Sequence, residues 1–172
     1  MEKIVDTNVP LTAGEEACPL GVECREACIH TIRDIWEGRH RLVLDGSGII
    51  FRQYQENFGK RGDLGLAGRF QAWLLRNLFI PEHVKLVDIQ PIDDYGDFEE
   101  LPDEVRQSDF DRSDRVFVAL ALANDNAAPI VQAADSKWIG WEAMLSRHGI
   151  TLEFPCRQAL EQVHERRKRR RK

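Results

Sequence analysis

Three aspartates, the first more than a hundred residues from the other two, each stand where a local element begins or ends: Asp6, Asp114 and Asp135. Asp6 closes the short apolar run Lys3-Ile4-Val5 and is followed by Thr7 and Asn8. Asp135 closes Pro129 to Ala134 (PIVQAA), and Asp114 stands before the apolar stretch Arg115 to Ala123 (RVFVALALA). A hydrophobic core has no use for an acid at a strand end, so such residues usually serve chemistry. Carboxylates gathered within a few ångströms repel one another and raise one another's pKa. A hard divalent cation resolves the conflict, because Mg²⁺ or Mn²⁺ prefers carboxylate oxygens and water. Such an ion activates water and stabilises charge developing on a phosphate. The chemistry expected of these acids together is hydrolysis of a phosphodiester.

The acids converge only if the intervening chain brings the strand ends to one rim. Lys3 to Asn8 (KIVDTN), Arg41 to Asp45 (RLVLD), Val84 to Ile89 (VKLVDI), Pro129 to Ala134 and Ile150 to Phe154 (ITLEF) mark five strands. Between them, helical spacing recurs. Cys24, Cys28, Ile32 and Trp36 form one stripe of a helix over residues 21–37, ended by Gly38. Ile50, Tyr54 and Phe58 mark a second helix, and Phe70, Trp73, Leu74 and Leu78 a third. Ser113 is the expected N-cap of the helix over residues 115–123, and a helix over 137–148 carries Trp138, Trp141 and Leu145. Residues 9–14 read as a loop, and Gln90 to Asp111 as a long acidic irregular segment. Alternating strands and helices predict an α/β fold of three layers, α/β/α, with a central parallel sheet. Sites in such sheets form at the carboxyl ends of the strands, near a switch in strand order. The expected domain covers residues 1–156, followed by a C-terminal helix and basic tail over 157–172.

Plainer readings stand beside these. Asp114 serves a helix dipole by position alone, Asp6 could cap a turn with Thr7, and Asp45 before Gly46-Ser47-Gly48 suits an Asx-turn. Trp138 and Trp141 suit a core better than a base-stacking platform. The four cysteines contain no CxxC pair and read as small buried hydrophobes rather than a zinc site. The five histidines lack ligand spacing and read as surface or loop residues.

The net charge of −5 conceals an asymmetry: all seven residues from Arg166 to Lys172 are basic, and without them 17 basic residues face 29 acidic ones, a net −12. An acidic body is not the footprint of a broad phosphate-binding surface. The tail reads as a solvated helix end, with electrostatic contact to nucleic acid as the alternative. No apolar run of membrane-spanning length and no signal-like N-terminal region appear, so a cytoplasmic protein without membrane contact is expected.

The chain resembles the PIN-domain nucleases. The resemblance rests on Val5-Asp6-Thr7-Asn8, on Ser113-Asp114-Arg115 leading into Val118-Ala119-Leu120-Ala121, and on Val131 to Asp135 followed by Trp138, and it covers roughly residues 3–154. It implies a PIN-like fold and a metal-dependent endoribonuclease of VapC type. Such a protein is a toxin held by an antitoxin, or the effector of another defence system, and many such domains form homodimers. On that reading Asp6, Asp114 and Asp135 hold Mg²⁺ or Mn²⁺, with Glu56 or Asp45 as a fourth acid, while Thr7, Asn8 and Lys137 bind substrate or orient Asp6. Arg52, Lys60 and Arg61 lie near the expected rim. Two positions depart from the family pattern: Gln53 stands where a glutamate is usual, and Lys137 where a further acid is common. A catalytically degenerate module acting as a binding partner, and a nuclease acting on single-stranded or structured DNA, therefore stay open beside the RNA reading.

Overall fold

The computed structural model describes residues 1–59, 65–93 and 96–171. Its centre is a sheet of five parallel strands: β1 (Glu2–Val5), β2 (Arg41–Asp45), β3 (Val84–Val87), β4 (Ile130–Val131) and β5 (Leu152–Glu153). Their order is β3-β2-β1-β4-β5. The inner strands are apolar on both faces because helices cover both: Ile4, Val5, Leu42, Val43, Ile130 and Val131 are all fully buried. The architecture is the expected three-layer α/β/α.

Eight helices connect and flank these strands among the described residues: α1 (Asn8–Gly14), α2 (Val22–Trp36), α3 (Ile49–Gly59), α4 (Leu66–Asn77), α5 (Asp103–Gln107), α6 (Arg115–Ala123), α7 (Lys137–Arg147) and α8 (Arg157–Arg171). On α2 the stripe of Cys24, Cys28 and Ile32 turns inward, with Trp36 half-buried. α1 packs on α2 and α4, α6 lies against β1, β2 and β4, and α7 against α8. Every residue from Arg115 to Leu120 is buried, as the apolar run demands. The one charged member, Arg115, reaches Asp97 at 2.8 Å and the Arg106 carbonyl at 2.9 Å. No described helix is long and apolar enough to cross a membrane.

The structure corrects several local expectations. Residues 9–14 are not a loop but most of α1: Pro10 sits in its first turn, where the missing N–H costs nothing, and the Val9 N–H donates to the Asp6 carbonyl. The long acidic segment holds the short helix α5. Ser113 does not cap α6. It lies inside a 3₁₀ turn, Arg112–Asp114, which leaves Asp114 at the cap position. The cysteines are not all free thiols. Cys24 and Cys156, 4.9 Å apart at Cα, form a disulfide across 132 residues, while Cys18 and Cys28 are free. Spacing could not reveal this pair, because only the fold brings the start of α2 to the segment entering α8. The same bond ties α8 to the domain, where Leu160 is fully buried.

Candidate acidic site at the strand switch

From β1 the chain steps outward through β2 to β3, then returns to the other side of β1 with β4. The connections after β1 and β4 therefore diverge, opening a crevice at their carboxyl ends. Asp6 follows β1 there, and Asp135 follows β4 by a short loop. α6 runs beneath and presents Asp114 at its first turn.

Each acid is held by local backbone. One Asp6 oxygen accepts the Asn8 N–H at 2.9 Å and the Thr7 hydroxyl at 3.4 Å. The Asn8 side-chain oxygen accepts the N–H groups of Ala133 and Ala134 at 3.1 and 3.4 Å, lacing the end of β1 to the loop that carries Asp135. The side-chain oxygen of buried Gln132 accepts N–H groups from Ala134 and Asp135 in the same loop. Asp135 in turn accepts the Lys137 N–H at 2.9 Å. The 3₁₀ turn is fixed from two sides. The Gln53 amide donates to the Ser113 carbonyl at 2.8 Å, and Gly96, with φ +92°, lies against it so closely that a Cβ would sit 2.6 Å from the Arg112 carbonyl oxygen.

One carboxylate oxygen from each of Asp111, Asp114 and Asp135 lies within 4.8 Å of the others. Asp6 is buried behind them and feels two of them. Burial first, then the charge of Asp114 and that of Asp135, push its carboxyl up from 3.8 to about 7, against the Asn8 N–H. Burial, then Asp111 and Asp135, push Asp114 up to about 6. The buried indole N–H of Trp138 faces Asp114 and opposes that rise. Two cations face the cluster. The Lys137 ammonium pairs with Asp111, and the Arg167 guanidinium lies 3.8 Å from Asp135. The donor set is carboxylate oxygen throughout, which suits Mg²⁺ or Mn²⁺ rather than a softer metal.

The geometry therefore gathers Asp6, Asp114 and Asp135, with Thr7, Asn8 and Lys137 around them. Glu56 is exposed on α3 and is not among the clustered acids; Gln53 is the α3 side chain that reaches the site. Asp45 is occupied otherwise: its two oxygens accept the Ser47 hydroxyl and the N–H groups of Ile49 and Ile50 at 2.7–2.8 Å, opening α3 as an Asx-type cap. Arg52 donates to the Ser47 carbonyl, and Lys60 and Arg61 fall outside the described residues. Trp138 and Trp141 pack with Phe110, ring centroids 5.1 and 4.2 Å away, as the core under the site.

Asp111, Arg167 and His164 are additions that sequence reasoning passed over. Asp111 stands three residues before Asp114, a spacing that one helical turn places on one side, so a signal existed. His164, read as a surface residue, bonds the Ser136 carbonyl at 2.9 Å. Nothing local marks Arg167 among seven consecutive basic residues. Compared with protein-family models, curated proteins and solved structures, the chain matches none.

Proposed function

We propose that this chain is a metal-dependent nuclease of PIN type that hydrolyses the phosphodiester backbone of RNA. The observation that carries the reading is the convergence of Asp111, Asp114 and Asp135 within 4.8 Å, with buried Asp6 behind them, at the strand switch. Acid clusters alone are common on surfaces. This one has a buried floor, Asp6, desolvated strongly enough to hold its proton near neutrality, and a buried indole, Trp138, directed at Asp114. Asp111, Asp114 and Asp135 would hold Mg²⁺ or Mn²⁺, with Asp6 beneath. When bound, that ion supplies positive charge against the scissile phosphate and a more acidic water. The chain's own contribution is position. Thr7 and Asn8 fix Asp6, Asn8 and Gln132 fix the loop of Asp135, and Gln53 fixes the turn of Asp114. Lys137 and Arg167 stand at the edge, where a phosphate would approach.

A second reading, a non-catalytic binding module, is favoured by the same two cations, which already neutralise Asp111 and Asp135, and by the neutral Gln53. Incubating the full chain with labelled RNA or single-stranded DNA and Mn²⁺, beside Asp6→Asn and Asp135→Asn, separates the two. Cleavage of RNA by the wild type and its loss in both variants is expected. No cleavage of either nucleic acid, with no Mn²⁺ bound in titration calorimetry, would overturn the nuclease reading; cleavage of DNA alone would move the substrate.

A further inference from the structure

A cleft of about 410 Å³ opens beside the acidic cluster, between α7 and α8. Its volume is in the range of small-ligand sites. Four basic side chains line it: Lys137 at the start of α7, and His164, Arg167 and Lys168 on α8. The last three are spaced i, i+3, i+4 and so share one face of that helix. The helices approach closely because Gly140 has no side chain; a Cβ there would meet the His164 ring at 3.1 Å. Ser136 also lines the cleft, and its hydroxyl is fully buried with no hydrogen-bond partner. Buried polar groups rarely stay unpaired without a ligand or water to satisfy them. One acid lines the cleft, Asp109, and the Trp141 indole N–H already holds it at 3.0 Å. Three positive charges thus line the cleft beside that one partnered carboxylate, and Lys168 among them lies 3.7 Å from Glu165 on its own helix.

The two cations nearest the acids are also engaged by them: Lys137 pairs with Asp111, and Arg167 lies 3.8 Å from Asp135. We propose that this cleft binds a backbone phosphate of the substrate strand, and that a divalent cation entering the acidic cluster displaces Lys137 and Arg167 into it. The proposal rests on the nuclease reading for the identity of the strand. The exchange is a matter of competition: the carboxylate oxygens that hold the two side chains are the ones a divalent cation takes. Arg167, released, offers a planar fork suited to a phosphate, and Lys137 a compact charge beside it. Metal and phosphate therefore bind cooperatively, each removing the competitor of the other.

The test uses the full disulfide-bonded chain and a fluorescent 12-nucleotide RNA with 2′-O-methyl sugars, which resists cleavage. Anisotropy is read in Mn²⁺ and in EDTA for the wild type, Lys137→Ala, Arg167→Ala and Arg169→Ala. The last removes the same charge from the same helix outside the cleft. In Mn²⁺, Arg167→Ala and Lys137→Ala should each weaken RNA binding about tenfold, the usual weight of a charge-assisted hydrogen bond, and Arg169→Ala by less than about threefold. In calorimetry without RNA, both cleft variants should bind Mn²⁺ more tightly than the wild type. Competition by inorganic phosphate distinguishes a site for free phosphate: displacement of the RNA at micromolar phosphate would overturn the assignment to a strand. Equal weakening by Arg169→Ala and Arg167→Ala would reduce the effect to diffuse tail charge and overturn the cleft. Weaker Mn²⁺ binding in the cleft variants would overturn the exchange. Failure of the wild type to cleave unmodified RNA, with the binding pattern intact, would remove the nuclease reading and leave the phosphate site standing.

Discussion

Replacing Asp6 by asparagine should stabilise the metal-free protein while removing its function. Asp6 is 3% exposed, and burial together with Asp114 and Asp135 raises its carboxyl from 3.8 to about 7. The folded state thus binds this proton more tightly than the unfolded chain. The favourable contribution is complete below about pH 4 and is lost as pH rises through about 7, where the buried group must ionise. At roughly 1.4 kcal/mol for each pH unit between the two values, the fold loses about 4 kcal/mol by pH 8, of which less than half is already gone at pH 5. Asparagine keeps the shape and an oxygen for the Asn8 N–H, now 2.9 Å from Asp6, without the charge. In EDTA, urea unfolding should therefore find Asp6→Asn more stable than the wild type at pH 8, by an excess about 2–3 kcal/mol larger than at pH 5. Saturating Mn²⁺ should narrow the gap at pH 8, since only the wild type gains binding free energy, about 2.7 kcal/mol at a hundredfold excess over Kd and about 4.1 kcal/mol at a thousandfold. A variant no more stable than the wild type at pH 8, or a gain equal at the two pH values, would refute the claim that burial and neighbouring charge raise the Asp6 carboxyl.

The disulfide and Gln53 offer two further tests. Reducing Cys24–Cys156, or replacing Cys156 by serine, opens a loop of 132 residues, and thermal or urea unfolding should show a loss of about 4–5 kcal/mol; an unchanged midpoint would mean that α8 is held by packing alone. Gln53→Glu introduces the acid that the resemblance leads one to expect there, yet a carboxylate cannot donate to the Ser113 carbonyl and would face the acids beside it. In EDTA at pH 8 it should cost about 1–2 kcal/mol by urea unfolding, and equal stability to the wild type would show that the Gln53 bond positions nothing.

The frame of the molecule was readable because its signals are local. Leu42 to Leu44 and Ile130 to Val131 are apolar runs too short for helices, each followed by polar residues and then by a helical period, and that alternation leaves a parallel sheet as the consistent answer. Asp6 and Asp135 were readable for the same reason, as acids that end apolar strands. What escaped depended on long-range geometry. Cys24 and Cys156 carry no mutual signal, and Arg167 is one of seven consecutive basic residues until α8 is laid along α7. α1 escaped for a different reason. At seven residues, with proline, threonine and glycine among them, it has little helical propensity of its own and forms because Val9, Pro10, Thr12 and Ala13 are buried against α2 and α4.

Charge balance links these parts. Asp6, Asp111, Asp114 and Asp135 together carry four negative charges when ionised, and Lys137 and Arg167 supply two positive ones. The two side chains offset half of that charge in the metal-free protein, and a divalent cation that displaced them would offset the same share. A fifth carboxylate at position 53 would upset that balance, whereas the neutral Gln53 amide serves the turn of Asp114 by donating a hydrogen bond. Lys137 has the same logic. An acid in its place would add charge to a cluster in which burial and repulsion already hold Asp114 up at about 6, while the ammonium stabilises Asp111 and stands where an incoming phosphate needs a cation. Both departures from the resembled pattern thus act in one direction. An amide and an ammonium in place of carboxylates leave the cluster less negative, and on the proposed nuclease reading that side of the site would face an anion rather than a second metal ion.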